Sequence, residues 1–80
     1  MKYLVSIFHS FDINNINNFN SVAVFSTFKN AIKAIDESFS SKYGLIKEYQ
    51  EINTIRIYKT SANCYYKIVI EKRQENTLFN

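Results

Sequence analysis

The chain predicts an α+β domain: an antiparallel sheet of about four strands with one amphipathic helix on one face, in the order ββαββ. Three observations carry this. Short runs rich in Tyr, Ile, Val and Phe recur along the chain. One central stretch spaces its apolar residues at helical intervals, and the last third holds two alternating runs separated by a short polar break.

Lys2 to Ser10 reads as the first strand, because Tyr3, Leu4, Val5, Ile7 and Phe8 all favour a pleated surface. Its apolar residues fall on both parities, as expected of a central strand or of one covered on one face by a helix and on the other by a partner. Residues 11–20, FDINNINNFN, are half Asn. Asn competes for backbone hydrogen bonds and tolerates left-handed geometry, so a loop is expected here. Phe11, Ile16 and Phe19 interrupt the loop and either tuck onto the core or form an adhesive tip. Ser21 to Phe25 reads as a second strand, with Ser26 placed to cap the helix that follows.

That helix is the clearest element. Phe28, Ala31, Ile32, Ile35 and Phe39 share one face, while Lys29, Lys33, Asp36 and Glu37 lie elsewhere. It should end within residues 38–42, with Gly44 beyond it as the residue that enters positive φ without steric cost. Leu45 to Glu51 fits either a short strand or a connection. Ile52 to Thr60 and Cys64 to Lys72 alternate, and apolar positions of the two must oppose each other. A loop around Ser61 and Ala62 then sets Ile57 against Tyr66 and Ile55 against Ile68 on the inner face. Tyr58 opposes Tyr65 and Arg56 opposes Lys67 on the outer face. Residues 73–80 are expected as a frayed tail on a single domain spanning residues 1–80.

Composition narrows the class. With 46% apolar and 16% aromatic residues the chain can build a core, but at 80 residues that core is small. A homodimer or a bound partner would therefore add needed stability. The lone cysteine cannot close an intrachain bridge, which favours a reducing, cytoplasmic setting. Ser6 and His9 interrupt the apolar N-terminal run and no small-residue cleavage site follows, so neither a signal peptide nor a membrane span is expected. The net charge of +3 is dispersed and forms no basic tail.

Reactive groups are few. His9 is the only histidine and Cys64 the only thiol, so they assemble no zinc-type ligand set, and no metal or cofactor is expected. Asp36 and Glu37, adjacent on a helix, diverge by about 100° and cannot share a proton. Asp12, Asn14, Asn15 and Asn17 are oxygen-rich but lack the glycine and terminal acid of a calcium loop. A single glycine excludes a phosphate-cradling loop. A non-enzymatic protein acting through its surface is expected. Its first candidate contact set is Arg56, Tyr58, Tyr65 and Lys67, rings flanked by cations, a mixture found in protein hot spots and, alternatively, on single-stranded nucleic-acid platforms. The second is the loop set Phe11, Asp12, Ile16 and Phe19.

Ile, Asn, Lys, Phe and Tyr dominate the chain while Pro and Trp are absent. That bias fits AT-rich coding DNA from a low-GC bacterium or one of its phages or plasmids. The segment Val22 to Ile35, VAVFSTFKNAIKAI, preceded by KYLVSIFHS, resembles the opening of a group of small uncharacterised phage and bacterial α+β proteins. In that group a strand ending in VFS passes directly into a helix bearing KxAxxAI. In size, bias and scarcity of reactive groups the chain also resembles phage-encoded inhibitors of host defence, such as anti-CRISPR proteins. The resemblance implies an inhibitor or adaptor occupying the surface of a host or phage protein in the bacterial cytoplasm, and it brings no catalytic residues.

Overall fold

A computed structural model describes residues 1–74. Strands β1 (Lys2–Ser10) and β2 (Asn18–Phe25) form a hairpin, helix α1 (Phe28–Ile35) follows, and three further strands come after it among the described residues: β3 (Gly44–Gln50), β4 (Thr54–Lys59) and β5 (Tyr65–Arg73). All five strands join one antiparallel sheet in the order β2-β1-β5-β4-β3. The α+β class holds, but the sheet has five strands rather than four and the order is ββαβββ. The additional strand is the 45–51 stretch, where Leu45, Ile46 and Tyr49 give the chain enough β-forming surface to add to the edge of β4.

The loop is shorter than its Asn content suggested. Asn18 to Asn20 extend β2, and residues 11–17 make the connection. Asp12 organises it: its Oδ1 accepts from the Asn14 amide at 2.9 Å, its carbonyl accepts from the Asn15 amide, and its own amide donates to Ser10 Oγ. The helix is capped by Thr27 rather than Ser26. Thr27 has an extended backbone (φ −135°, ψ 152°), and its hydroxyl oxygen accepts from the Asn30 amide at 3.1 Å. Thr27→Ala should lower stability by about 1 kcal/mol, read from the shift of a urea midpoint, whereas Ser26→Ala should leave it unchanged.

Beyond Ile35 the helix continues as a π-helical turn, Asp36–Ser40, with the Ser41 amide donating to the Asp36 carbonyl. Its end within residues 38–42 matches the sequence expectation. Gly44 does not: no glycine has positive φ, and Gly44 simply opens β3. The helix stop comes instead from the Lys42 and Tyr43 amides, both donating to the Phe39 carbonyl.

The core lies between the helix and one sheet face. Val5, Ala31, Ile35, Tyr58, Ile68 and Ile70 form its buried cluster, flanked by Tyr3, Ile7, Phe25, Ile32, Phe39, Tyr43 and Tyr66. The sequence pattern placed the β5 contribution correctly but inverted β4. Tyr58 pairs with Tyr66 and Arg56 with Ile68, one position away from the expected register. The reason is the turn. Residues 60–64 form a five-residue connection in which the Thr60 amide donates to the Cys64 carbonyl, Thr60 Oγ1 accepts from the Ala62 and Cys64 amides, and Asn63 takes φ 58°. Asn enters left-handed geometry at low cost, so the odd-length turn wins over one centred on Ser61 and Ala62. A one-residue slip exchanges the two faces of a strand. Arg56 and Tyr58 therefore face the helix, while Ile55 and Ile57 face away, Ile57 nonetheless buried on the other side of the sheet.

At the C-terminal end Arg73 belongs to β5, paired with Lys2, rather than to a tail. Residues 75–80 of the expected tail lie outside the described residues.

Candidate functional site

Two chemically different surfaces result from this topology. On the helix side, Arg56 bridges two carboxylates: its Nη1 donates to Asp36 Oδ1 at 2.9 Å and its Nε to Glu48 Oε1 at 2.8 Å. Nη1 also reaches the Tyr58 hydroxyl at 3.2 Å, and that hydroxyl shares a 2.9 Å hydrogen bond with Ser40. Ser40 in turn donates to Asp36 Oδ1. Burial works against the guanidinium charge, but the hydrogen bonds to Glu48, Tyr58 and Asp36 outweigh it, so the pKa of Arg56 is raised above its ordinary value. The network ties the π-helical turn to β4 and β3 and engages Nε and Nη1 of Arg56 internally.

Aromatic rings pack beside it. Phe39 stacks on Tyr58 at 5.7 Å and meets Tyr66 edge-on at 5.3 Å, while Tyr43 stacks on Tyr66 at 5.7 Å. Tyr58 is 0% exposed. It is a core residue whose hydroxyl is satisfied, and it offers no ring to a ligand.

The opposite face holds the other half of the expected patch. Tyr65 and Lys67 point there, so the four residues Arg56, Tyr58, Tyr65 and Lys67 do not share a surface. The Lys67 ammonium lies 5.1 Å from the centre of the Phe8 ring, and Phe8 meets Phe19 edge-on at 5.9 Å. Beside them Val22 and Val24 of β2 are 49% and 56% exposed, and Phe19 is 59% exposed. The loop set also divides. Ile16 is buried and anchors the connection, Asp12 shapes it, and Phe11 is displayed at 79% exposure. Phe11, Phe19, Val22 and Val24 thus form one displayed apolar set on the β1–β2 hairpin and its tip, while Leu45, Ile46 and Ile52 are displayed separately on β3 and just beyond it.

Comparison with family models, curated proteins and solved structures found no match.

The His9 ring is 6.4 Å from that of Tyr66, and the Cys64 thiol donates to the carbonyl of neighbouring Tyr65 at 3.9 Å. Among the described residues no group of three or more His, Cys, Asp and Glu is arranged to hold a metal ion. No helix among them is long and apolar enough to cross a membrane. Val22 and Val24 were missed as surface candidates because, in a run such as SVAVF, alternation alone cannot say whether the valines or the intervening alanine and phenylalanine face the helix.

Proposed function

We propose that this chain is a small non-enzymatic binding protein, an inhibitor or adaptor encoded by a phage or mobile element, which docks on a host protein such as a defence effector in the bacterial cytoplasm. One observation supports this above the others: Phe11, Phe19, Val22 and Val24 place exposed apolar surface on a single hairpin, where ordinary folding offers no reason to leave it uncovered. Phe11 and Phe19 are suited to act as anchors, since aromatic side chains dominate interface energetics, and the Asx turn at Asp12 preorganises the tip between them.

The test is calorimetric titration of candidate host effectors with the wild-type chain and with Phe11→Ala/Phe19→Ala. Both positions are exposed, so the variant should melt as the wild type does. A loss of roughly 1 to 4 kcal/mol in binding is expected for an anchor, at least about fivefold in Kd. Unchanged affinity would remove the hairpin tip from the contact.

A second reading, nucleic-acid binding, rests on Tyr65 and Lys67, both half-buried on the face away from the helix. It requires retention on single-stranded DNA or RNA that falls steeply with salt and is weakened by Tyr65→Ala and Lys67→Ala. Retention that is flat with salt would dispose of it.

A further inference from the structure

We infer that β2 is a self-association edge: a second copy of the chain adds its own β2 antiparallel to it, joining two five-stranded sheets into one. The two ends of the sheet are built differently. Natural edge strands are protected from further pairing by charges, prolines or bulges. β3, at one end, has all but proline: Lys47, Glu48 and a break in register between Leu45 and Lys47. β2, at the other end, is NFNSVAVF, eight residues with no charge and no proline, every one exposed except Phe25; its own register break, at Asn20 between Phe19 and Ser21, lies near its start and leaves Ser21 to Phe25 regular.

A second copy fits this edge better than an unrelated strand because the edge complements itself. Antiparallel pairing about a two-fold axis at Ala23 sets Ala23 against its counterpart and Val22 against Val24 in both directions. Although each chain carries a net charge of +3, no charged residue of β2 meets another across the axis. A charged foreign strand would find no counter-charge here.

The helix side of the same edge supplies an independent argument. A partly open apolar cleft of about 120 Å³ lies between α1 and the sheet, lined by Val5, Ile7, Phe25, Ile35 and Phe39 together with Ala23 of the edge strand. The small Ala23 side chain leaves the cleft uncovered, and Ser21 and Phe25 of a paired copy, which share the helix-side face with its Ala23, lie within diagonal reach across the axis. Pairing therefore covers apolar surface on both faces of the sheet. It also consumes the β2 edge of both copies while β3 stays blocked, so assembly stops at two.

Sedimentation of the full chain over a wide concentration range tests this, independently of the partner substitutions at Phe11 and Phe19. The expected mass at the upper end is twice 9.4 kDa. Val22→Lys/Val24→Lys should return it to the monomer with an unchanged far-UV spectrum, and Ile46→Lys on β3 should leave the dimer intact. Should the double-lysine variant fail to fold, hydrogen exchange of the wild type decides: amides of residues 18–25 should gain protection as concentration rises. A wild type that stays monomeric with concentration-independent exchange, an open-ended aggregate, or a dimer indifferent to a folded double-lysine variant would each overturn the inference.

Discussion

Tyr58→Ala should leave the chain largely unfolded. Tyr58 is completely enclosed, stacked on Phe39 and paired across the sheet with Tyr66. Truncating a buried aromatic costs about 3–5 kcal/mol through lost transfer energy and the cavity left behind. A core of this size supplies only about 3–5 kcal/mol in total, so one substitution consumes the margin. Tyr58→Phe separates the contributions: it keeps the ring and removes the hydroxyl shared with Ser40 and Arg56, and should cost about 1–2 kcal/mol. Circular dichroism against urea reads both. A cooperative, near-native transition for Tyr58→Ala would mean that this ring does not sit under the helix.

Arg56→Ala should be the next most damaging change. The guanidinium side chain is 15% exposed and spans Asp36 of the π-helical turn and Glu48 of β3, so removing it takes a charged donor from both carboxylates and from the Tyr58 hydroxyl, of which Asp36 and Tyr58 keep their bonds to Ser40. Both carboxylates retain contact with water, which limits the loss to about 1–3 kcal/mol rather than that of a fully buried pair. Arg56→Lys should recover only part of it, because an ammonium cannot present the planar fork that reaches both acids. A loss within the ~0.5 kcal/mol of an ordinary surface substitution would contradict the network. The pKa of Arg56 is raised, so its contribution is complete below its unfolded value and disappears only as pH climbs through the still higher folded value. No loss of this interaction is therefore expected between neutral and moderately alkaline pH.

What the sequence made legible follows from how local the determining forces are. β1 was readable from its run of β-forming residues, and the face of α1 and the inward residues Tyr66, Ile68 and Ile70 of β5 from periodicity, each set within one segment. β3 was ambiguous because its Lys47, Glu48 and Gln50 dilute the alternation, and its pairing comes from β4 rather than from its own pattern. The face of β4 was misread because both parities are apolar, Ile55 and Ile57 against Tyr58, and the decision passed to the turn. There Asn63 was the available signal, a residue able to take positive φ where Ser61 and Ala62 do so reluctantly. The contact patch inherited that error, since a single slip sends Arg56 and Tyr58 inward and leaves Tyr65 and Lys67 on the other side. In the loop, composition correctly marked a turn but could not distinguish Ile16, which is buried, from Phe11 and Phe19, which are displayed.

Which surface is free to bind depends on the face that β4 turns to the helix, and proton–proton contacts in solution report that directly. With Tyr58 inward, its ring protons should show strong contacts to Phe39, whose ring centre is 5.7 Å away, and the Lys67 side chain should contact Phe8. Tyr58 ring contacts to Tyr65 or Lys67 in place of Phe39 would restore the undivided aromatic and basic patch, and would remove the basis for assigning binding to the β1–β2 hairpin.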